Sequence, residues 1–363
     1  MTWNISLPKT LLKLSLIMLT IGATPSLSFE SNIMTGGATG TYIQFGNDIK
    51  TLASVIGRDI TVVESAGSIE NIEAVRDRRY TQFGIVQSDV LDFLRTFKNE
   101  DPAIRRIVRD TRIVFPLYNE EIHIVTKKSG SINVLADLSG RTVAIGTPNS
   151  GTNLTSTFLF EATNIKPQTI VPISASDALK ELNAGNIDAF VYVSGAPTKL
   201  LLDTSVNDDL KLVPVEPSNV SGYYVTSLLK QGTYPWLDKD VLVPTVKAVL
   251  MTFEYDPNKN DYFKQSCDAV TEISFLIKLN LEYLKQNGHP KWKQVNLNAE
   301  LPGWQRAQCV ETALAPDYQL PQTTSQQGVI STPVNNEEPT QRIDCEQFAN
   351  PIAKRLCLMK SLN

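Results

Sequence analysis

The chain has 363 residues, enough for two ordinary domains or one large one. Apolar residues make up 42% and charged residues 20%, which excludes a disordered body, and 34 basic against 38 acidic residues leave a net charge of −4 with no basic run to suit nucleic acid. Only two histidines occur, His123 and His289, with neither a His-x-x-x-His nor a Cys-x-x-Cys spacing, so no metal site of imidazoles and thiolates is expected.

At the N-terminus, Lys9 and Lys13 precede the apolar run Leu14–Ala23, and the small-residue stretch Thr24-Pro-Ser-Leu-Ser28 follows. That layout predicts a cleaved secretory signal over residues 1–28. A run of about ten residues is too short to span a bilayer, which needs about 20. The first cysteine is Cys267, too far away for a lipid anchor, so an exported periplasmic protein is expected.

Short β-branched runs at Asn32–Thr35, Ile60–Val63, Phe83–Val86 and Ile113–Pro116 predict buried strands, with helices over Thr41–Val55 and Ile69–Arg78 between them. A second set follows, with strands at Ile122–Thr126, Thr142–Ile145, Thr169–Ile173, Asp188–Val193 and Leu210–Val213, and helices near Thr152–Thr163 and Ser176–Ala184. Such alternation implies βαβ units and two α/β lobes with mainly parallel sheets. Beyond Gly222-Tyr-Tyr-Val-Thr226, helices are expected over Val241–Phe253 and Asp268–Asn287, with Gly288 as a stop, packing back onto the first lobe. Composition shifts to Pro, Gln, Thr, Ser and Asn over 316–341, which reads as a linker, and a cysteine-bearing tail occupies 342–363. The expected division is therefore 29–118 plus 222–315 for lobe one and 119–221 for lobe two, with crossings at Leu117–Glu121 and Pro217–Gly222 as the hinge.

Four cysteines in an exported chain predict disulfides; chain proximity favours Cys267 with Cys309 and Cys345 with Cys357 among three possible connectivities.

Three turns rich in glycine and hydroxyls each follow an expected strand and open a helix: Thr35-Gly-Gly-Ala-Thr-Gly-Thr-Tyr42, Glu64-Ser-Ala-Gly-Ser-Ile-Glu-Asn71 and Gly146-Thr-Pro-Asn-Ser-Gly-Thr-Asn153. Helix N-termini expose unpaired N–H groups and about half a positive charge, so three such turns facing one cleft suit an anion, although Ser68, Ser150 or Thr152 could each simply cap its own helix. Val86-Gln-Ser-Asp89 supplies amide, hydroxyl and carboxylate groups at the equivalent place after another strand. With no Arg or Lys in these turns, dipoles and hydroxyls must hold the anion. Enzyme motifs are missing. There is no Gly-x-Ser-x-Gly elbow and no phosphate loop; His123 reads as a packed strand residue and His289 as a loop residue. Glu120 and Glu121 fall on opposite faces of a strand, which rules out a joint acid and base role.

Thr35–Tyr42, Ala66-Gly-Ser-Ile-Glu-Asn71, Gly84–Val90, Glu121-Ile-His-Ile-Val125, Gly185–Phe190 and Gly195-Ala-Pro197 together, in order from about Ile33 to Cys309, resemble the TAXI family, the extracytoplasmic solute receptors of tripartite ATP-independent periplasmic (TRAP) transporters. The resemblance implies a two-lobed type II periplasmic binding fold with a hinge and an interlobe cleft. It also implies a monomer without cofactor or metal that captures a small anionic or zwitterionic solute, such as glutamate or 2-oxoglutarate, and delivers it to TRAP-type permease subunits. The family's cleft residues would fall on Gly37, Thr41 and Tyr42, on Ser68 and Asn71, on Gln87, Ser88 and Asp89, and on Ser150, Gly151 and Thr152. Linker and tail lie outside the pattern. The rival expectations are an exported partner of a membrane sensor and, with less support, an exported hydrolase.

Overall fold

A computed structural model of the chain describes residues 29–97, 99–203 and 209–321. The expected signal segment, the Cys345–Cys357 pair and most of the expected linker lie outside the described residues. In lobe one the strands are β1 (Ser31–Met34), β2 (Ile60–Val63) and β3 (Thr81–Gln87), with helices α1 (Thr41–Val55), α2 (Ser68–Asp77), α3 (Ser88–Phe97) and α4 (Pro102–Asp110). A long strand β4 (Thr111–Lys127) leads into β5 (Thr142–Ala144), α5 (Gly151–Thr163), β6 (Thr169–Val171), α6 (Ala175–Ala184), β7 (Ala189–Ser194), α7 (Lys199–Leu202), β8 (Leu210–Leu212) and α8 (Pro217–Val220). Strands β9 (Val225–Leu229) and β10 (Val241–Phe253) are followed by α9 (Asp261–Leu279), α10 (Leu281–Asn287) and α11 (Gln308–Leu314).

The fold is mixed α/β in two lobes, as expected. One sheet runs in the order β2-β1-β3-β10-β4-β7-β5-β6, with β8 beside β4 and β9 beside β10. The parallel triplets β2-β1-β3 and β6-β5-β7 repeat the same order in the two lobes. Strands covered on both faces read as continuous apolar runs, and the pleat then assigns alternate residues to alternate cores. Along β10, Ala248 and Leu250 face Phe45, Phe83 and Leu276, while Val249 and Met251 face Val75, Val86 and Leu91. Lobe two has the same two-sided plan, with Val191 and Leu159 on one face and Phe190 and Leu179 on the other.

Several expectations need correction. Residues Val241–Phe253 form a strand rather than a helix: Pro244 denies a helix interior its N–H, and the segment's Val, Thr and Phe side chains favour a pleated surface. The strands expected at Ile113–Pro116 and Ile122–Thr126 are halves of the single strand β4, whose ladder continues through Asn119, Glu120 and Glu121 against Lys247, Val246 and Thr245. The return to lobe one accordingly falls inside β10 rather than at 222, because Leu229, Trp236, Val241 and Val243 pack in the lobe-two core. The expected helix over 268–287 starts earlier, capped by the Asn260 side chain on Phe263 N, and breaks at Asn280. Lobe-one packing also reaches into the start of the expected linker, where Tyr318 meets the Phe275 ring edge-on at 5.1 Å.

The expected Cys267–Cys309 disulfide is formed and ties α9 to α11 across 42 residues of sequence. Replacing both cysteines by alanine lowers unfolding free energy by about 2–4 kcal/mol, since the unfolded chain regains the entropy of an open loop. Chemical denaturation checks the loss, and solute affinity is expected to stay unchanged because neither cysteine lines the cleft cavity.

Candidate functional site

The carboxyl ends of β1, β2 and β3 open at one edge of lobe one and those of β5 and β7 at the facing edge of lobe two, where ligands collect in open α/β sheets. Between them lies a cavity of about 90 Å³. It is several times the roughly 10–15 Å³ that a single water needs. The first turn contributes Gly37, Thr41 and Tyr42, the second Ser68, the end of β3 Gln87, and the third turn Ser150, Gly151 and Thr152.

The remaining expected site residues stand outside the lining. Asn71 is fully buried: its Nδ2 donates to Thr35 O at 2.5 Å and to Ile85 O at 2.7 Å, and its Oδ1 accepts from Ser65 Oγ, which ties the first turn to β3. Ser88 Oγ accepts from Lys247 N at 3.1 Å. Asp89 reaches across to lobe two instead, accepting from Thr155 Oγ1 at 2.6 Å and from Tyr224 OH at 3.3 Å. Sequence reasoning missed Glu120, Tyr192 and Ser194, which also line the cavity. Tyr192 and Ser194 belong to the last residues of β7, so the post-strand rule applied to the other strands would have found them. Glu120 carried no such signal, since it sits in mid-strand.

The lobes are closed on one another. Ile69 N donates to Asn149 O at 3.2 Å, Thr41 Oγ1 to Gly195 O at 2.7 Å, and Thr198 Oγ1 to Thr39 O at 3.2 Å. Two glycines permit this approach. Gly67 holds φ at +128°, a conformation side chains avoid, and an added Cβ would lie 3.3 Å from Gly151 N. At Gly151 a Cβ would lie 1.4 Å from Gln87 Oε1, so the Gln87 side chain fills the space that a larger residue would need.

The helices that meet here are not equivalent. Ser150 caps α5, accepting from Asn153 N at 3.0 Å while donating to Thr147 O at 2.7 Å, so its hydroxyl is already engaged in both senses. Helices α1 and α2 start at Gly40 and Gly67, with no side-chain cap on either. Thr152 Oγ1 accepts from Val193 N at 3.3 Å and keeps its own proton for a ligand. Gln87 is 3% exposed, and its Nε2 has no partner among the described residues.

Charge in the cavity differs from the expectation of neutral donors alone. Glu120 is 2% exposed and accepts from Tyr42 OH at 2.6 Å. Burial pushes its carboxyl up to about 8; Asp89 and Glu121 push the same way, and Tyr42 and Lys291 pull back. Burial likewise raises Asp89 to about 6 against four pulling hydrogen-bond donors, Thr155, Val90 N, Tyr224 and its own N–H. Glu121, on the other face of β4, pairs with Lys291 at 2.6 Å and accepts from Ala196 N at 2.7 Å. Neither histidine lines the cavity. His123 is fully buried between Tyr192 O and Tyr234 OH, and burial pushes its imidazole down to about 4. His289 lies in the loop after α10, as expected, and is buried there, its Nδ1 accepting from Lys291 N.

Closed lobes of repeated topology, hinged on two strands around a cavity of glycine, hydroxyl and amide groups, define a two-lobed cleft protein. The chain belongs to the NMT1-like family, whose model matches residues 33–259. In structure it is similar to a protein of Bordetella bronchiseptica RB50, at 14% identity over 81% of this chain and 92% of that one with a TM-score of 0.45. It is also similar to the periplasmic binding protein BugD, at 11% identity over 74% and 89% with a TM-score of 0.46. A third likeness is to the periplasmic aliphatic sulphonate binding protein SsuA of Escherichia coli, at 14% identity over 78% and 82% with a TM-score of 0.40.

A carboxyl whose folded pKa is raised holds its proton more tightly in the folded state. The stability this contributes is complete below the unfolded value near 4 and is lost as pH rises through the folded value. The two buried histidines, pushed down to about 4, add stability as pH rises towards 6.5, so the decline is read above that: the solute-free protein is expected to melt at progressively lower temperature as pH rises from about 7 to beyond about 8, and Glu120→Gln flattens that decline. Melting curves across that range check the slope; a wild-type stability that rises with pH there contradicts the assignment.

Proposed function

We propose that this chain is an extracytoplasmic solute receptor of the TAXI type, which captures a small organic acid or amino acid between its lobes and hands it to a TRAP-type permease. The observation that carries the reading is the cavity itself, where glycine and hydroxyl turns from both lobes meet at the strand ends and are bound to each other across the cleft. A solute's carboxylate would sit against the uncapped starts of α1 and α2, beside Ser68 and within reach of Thr152, with Gly37 and Gly151 leaving the backbone approachable. The function then needs no bond to be made or broken, only closure that desolvates the solute and opening that releases it. Export through residues 1–28 and delivery to a permease belong to the same proposal.

Native mass spectrometry of protein purified from the extracytoplasmic fraction, before and after mild unfolding, tests this reading. A released small acid or amino acid is expected; protein that neither carries nor rebinds any small solute overturns it. The hydroxyls separate further. Thr152→Val is expected to weaken binding by about 5- to 150-fold through loss of a donor to a buried carboxylate. Ser150→Ala is expected to cost about 1 kcal/mol of stability with little change in affinity, because its hydroxyl caps α5. Calorimetric titration beside thermal melts of both variants reads the two effects.

A further inference from the structure

Among the described residues lining the cavity, Glu120 is the only carboxylate, and none is a Lys, Arg or His. The nearest buried cation is already committed, since Lys291 pairs with Glu121 on the opposite face of the strand and donates to Asn119 O at 2.8 Å. Tyr42 supplies one hydrogen bond to one of the Glu120 oxygens. The rest of the wall offers donors: the uncapped starts of α1 and α2, the Thr152 hydroxyl, and the buried Gln87 amide whose Nε2 is unpartnered. A carboxylate taken out of water costs free energy until a cation or charged N–H group meets it, and an anionic oxygen placed against it adds repulsion. Donors and acceptor therefore call for different ends of one solute.

We propose that Glu120 is the specificity-determining residue of the cleft. It receives a cationic N–H donor of the solute, while Gln87 Nε2 and the α1 and α2 amides receive the solute's carboxylate. The cleft thus selects a zwitterion over a dicarboxylate or an oxo acid. This rests on the receptor reading above. Tyr42 fixes the rotamer of Glu120 through its 2.6 Å bond, and Asp89, Tyr118, Glu121, Tyr192 and Lys291 are the other titratable groups around it. A carboxyl held protonated by burial gives up its proton when a cation docks, so binding near neutral pH releases protons to the buffer.

The test uses the full chain, stripped of co-purified solute by unfolding and refolding, titrated calorimetrically with the twenty L-α-amino acids and with the matching 2-oxo acids and 2-hydroxy acids. An amino acid is expected to bind about 10- to 150-fold more tightly than its 2-oxo and 2-hydroxy counterparts. Titration in buffers of different ionisation enthalpy is expected to show proton release. Glu120→Gln, isosteric and able to keep the Tyr42 contact, is expected to collapse that ratio and abolish the proton release while the protein still melts cooperatively. A 2-oxo acid, or a dicarboxylate that carries no ammonium group, that binds wild-type protein as tightly as any amino acid overturns the inference and leaves the receptor reading standing. The same holds if the ratio survives Glu120→Gln, or if the protein carries a solute without a cationic group. A protein that binds none of these compounds and carries no solute in native mass spectrometry takes the receptor reading down with it.

Discussion

The antiparallel pairing of β4 with β10 is the constraint on which the rest of the molecule depends. Its register runs from Thr245 opposite Glu121 to Phe253 opposite Thr111, and both strands enter both lobes. On the edge of β10 away from β4, β3 pairs with Ala248–Met251 and β9 with Val241–Thr245, while β4 also binds β7 and β8. Each lobe is thereby a parallel α/β unit fastened to one half of the same two-stranded ribbon. Irregular register between Lys247 and Val249 and between Leu250 and Met251 marks where that ribbon departs from regular pairing near the crossing.

From this arrangement the site follows with little further specification. Parallel strands that leave the ribbon in each lobe deliver their carboxyl ends to the seam, and the chain must turn there to enter a helix. Glycine at the starts of α1 and α2 supplies no side-chain cap, whereas Ser150 closes off α5. The crossing strand itself passes beneath the seam and presents Glu120 upward and Glu121 downward. Lys291 pairs with the lower acid, which also accepts from Ala196 N in the loop that follows the cavity-lining residues Tyr192 and Ser194. Breaking either partner of the Glu121–Lys291 pair would leave a buried charge uncompensated.

Much of this was legible in the sequence, where local rules and tertiary packing agree. The α1 helix follows its apolar spacing to the residue, and the Ile60–Val63 strand has the expected bounds. Three glycine turns are where the strand-to-helix punctuation put them, and most of the chosen site residues line the cavity. The failures share a cause. The segment Val241–Phe253 is mostly apolar, with Lys247 its one charged residue, so periodicity alone could not separate a buried helix from a strand covered on both faces, and Pro244 was the unused clue. Asn119-Glu-Glu121 broke an apolar run and looked like a boundary, because nothing local reveals that Lys291, some 170 residues away, will meet one acid and that the other will face a ligand space. Asn71 and Asp89 sit at the right chain positions, but their side chains serve the junction between turns and the junction between lobes, distinctions that only the packed partners make.

The central claim is that the lobes close over a small solute by bending at the β4–β10 crossing. Small-angle X-ray scattering on the stripped and refolded chain, with and without the solute identified from the native protein, addresses it most directly. Closure predicts a smaller radius of gyration and a shorter maximum dimension when the solute is present, with the loaded profile matching the closed arrangement in which Ile69 N meets Asn149 O. Identical profiles for the empty and saturated protein would contradict it.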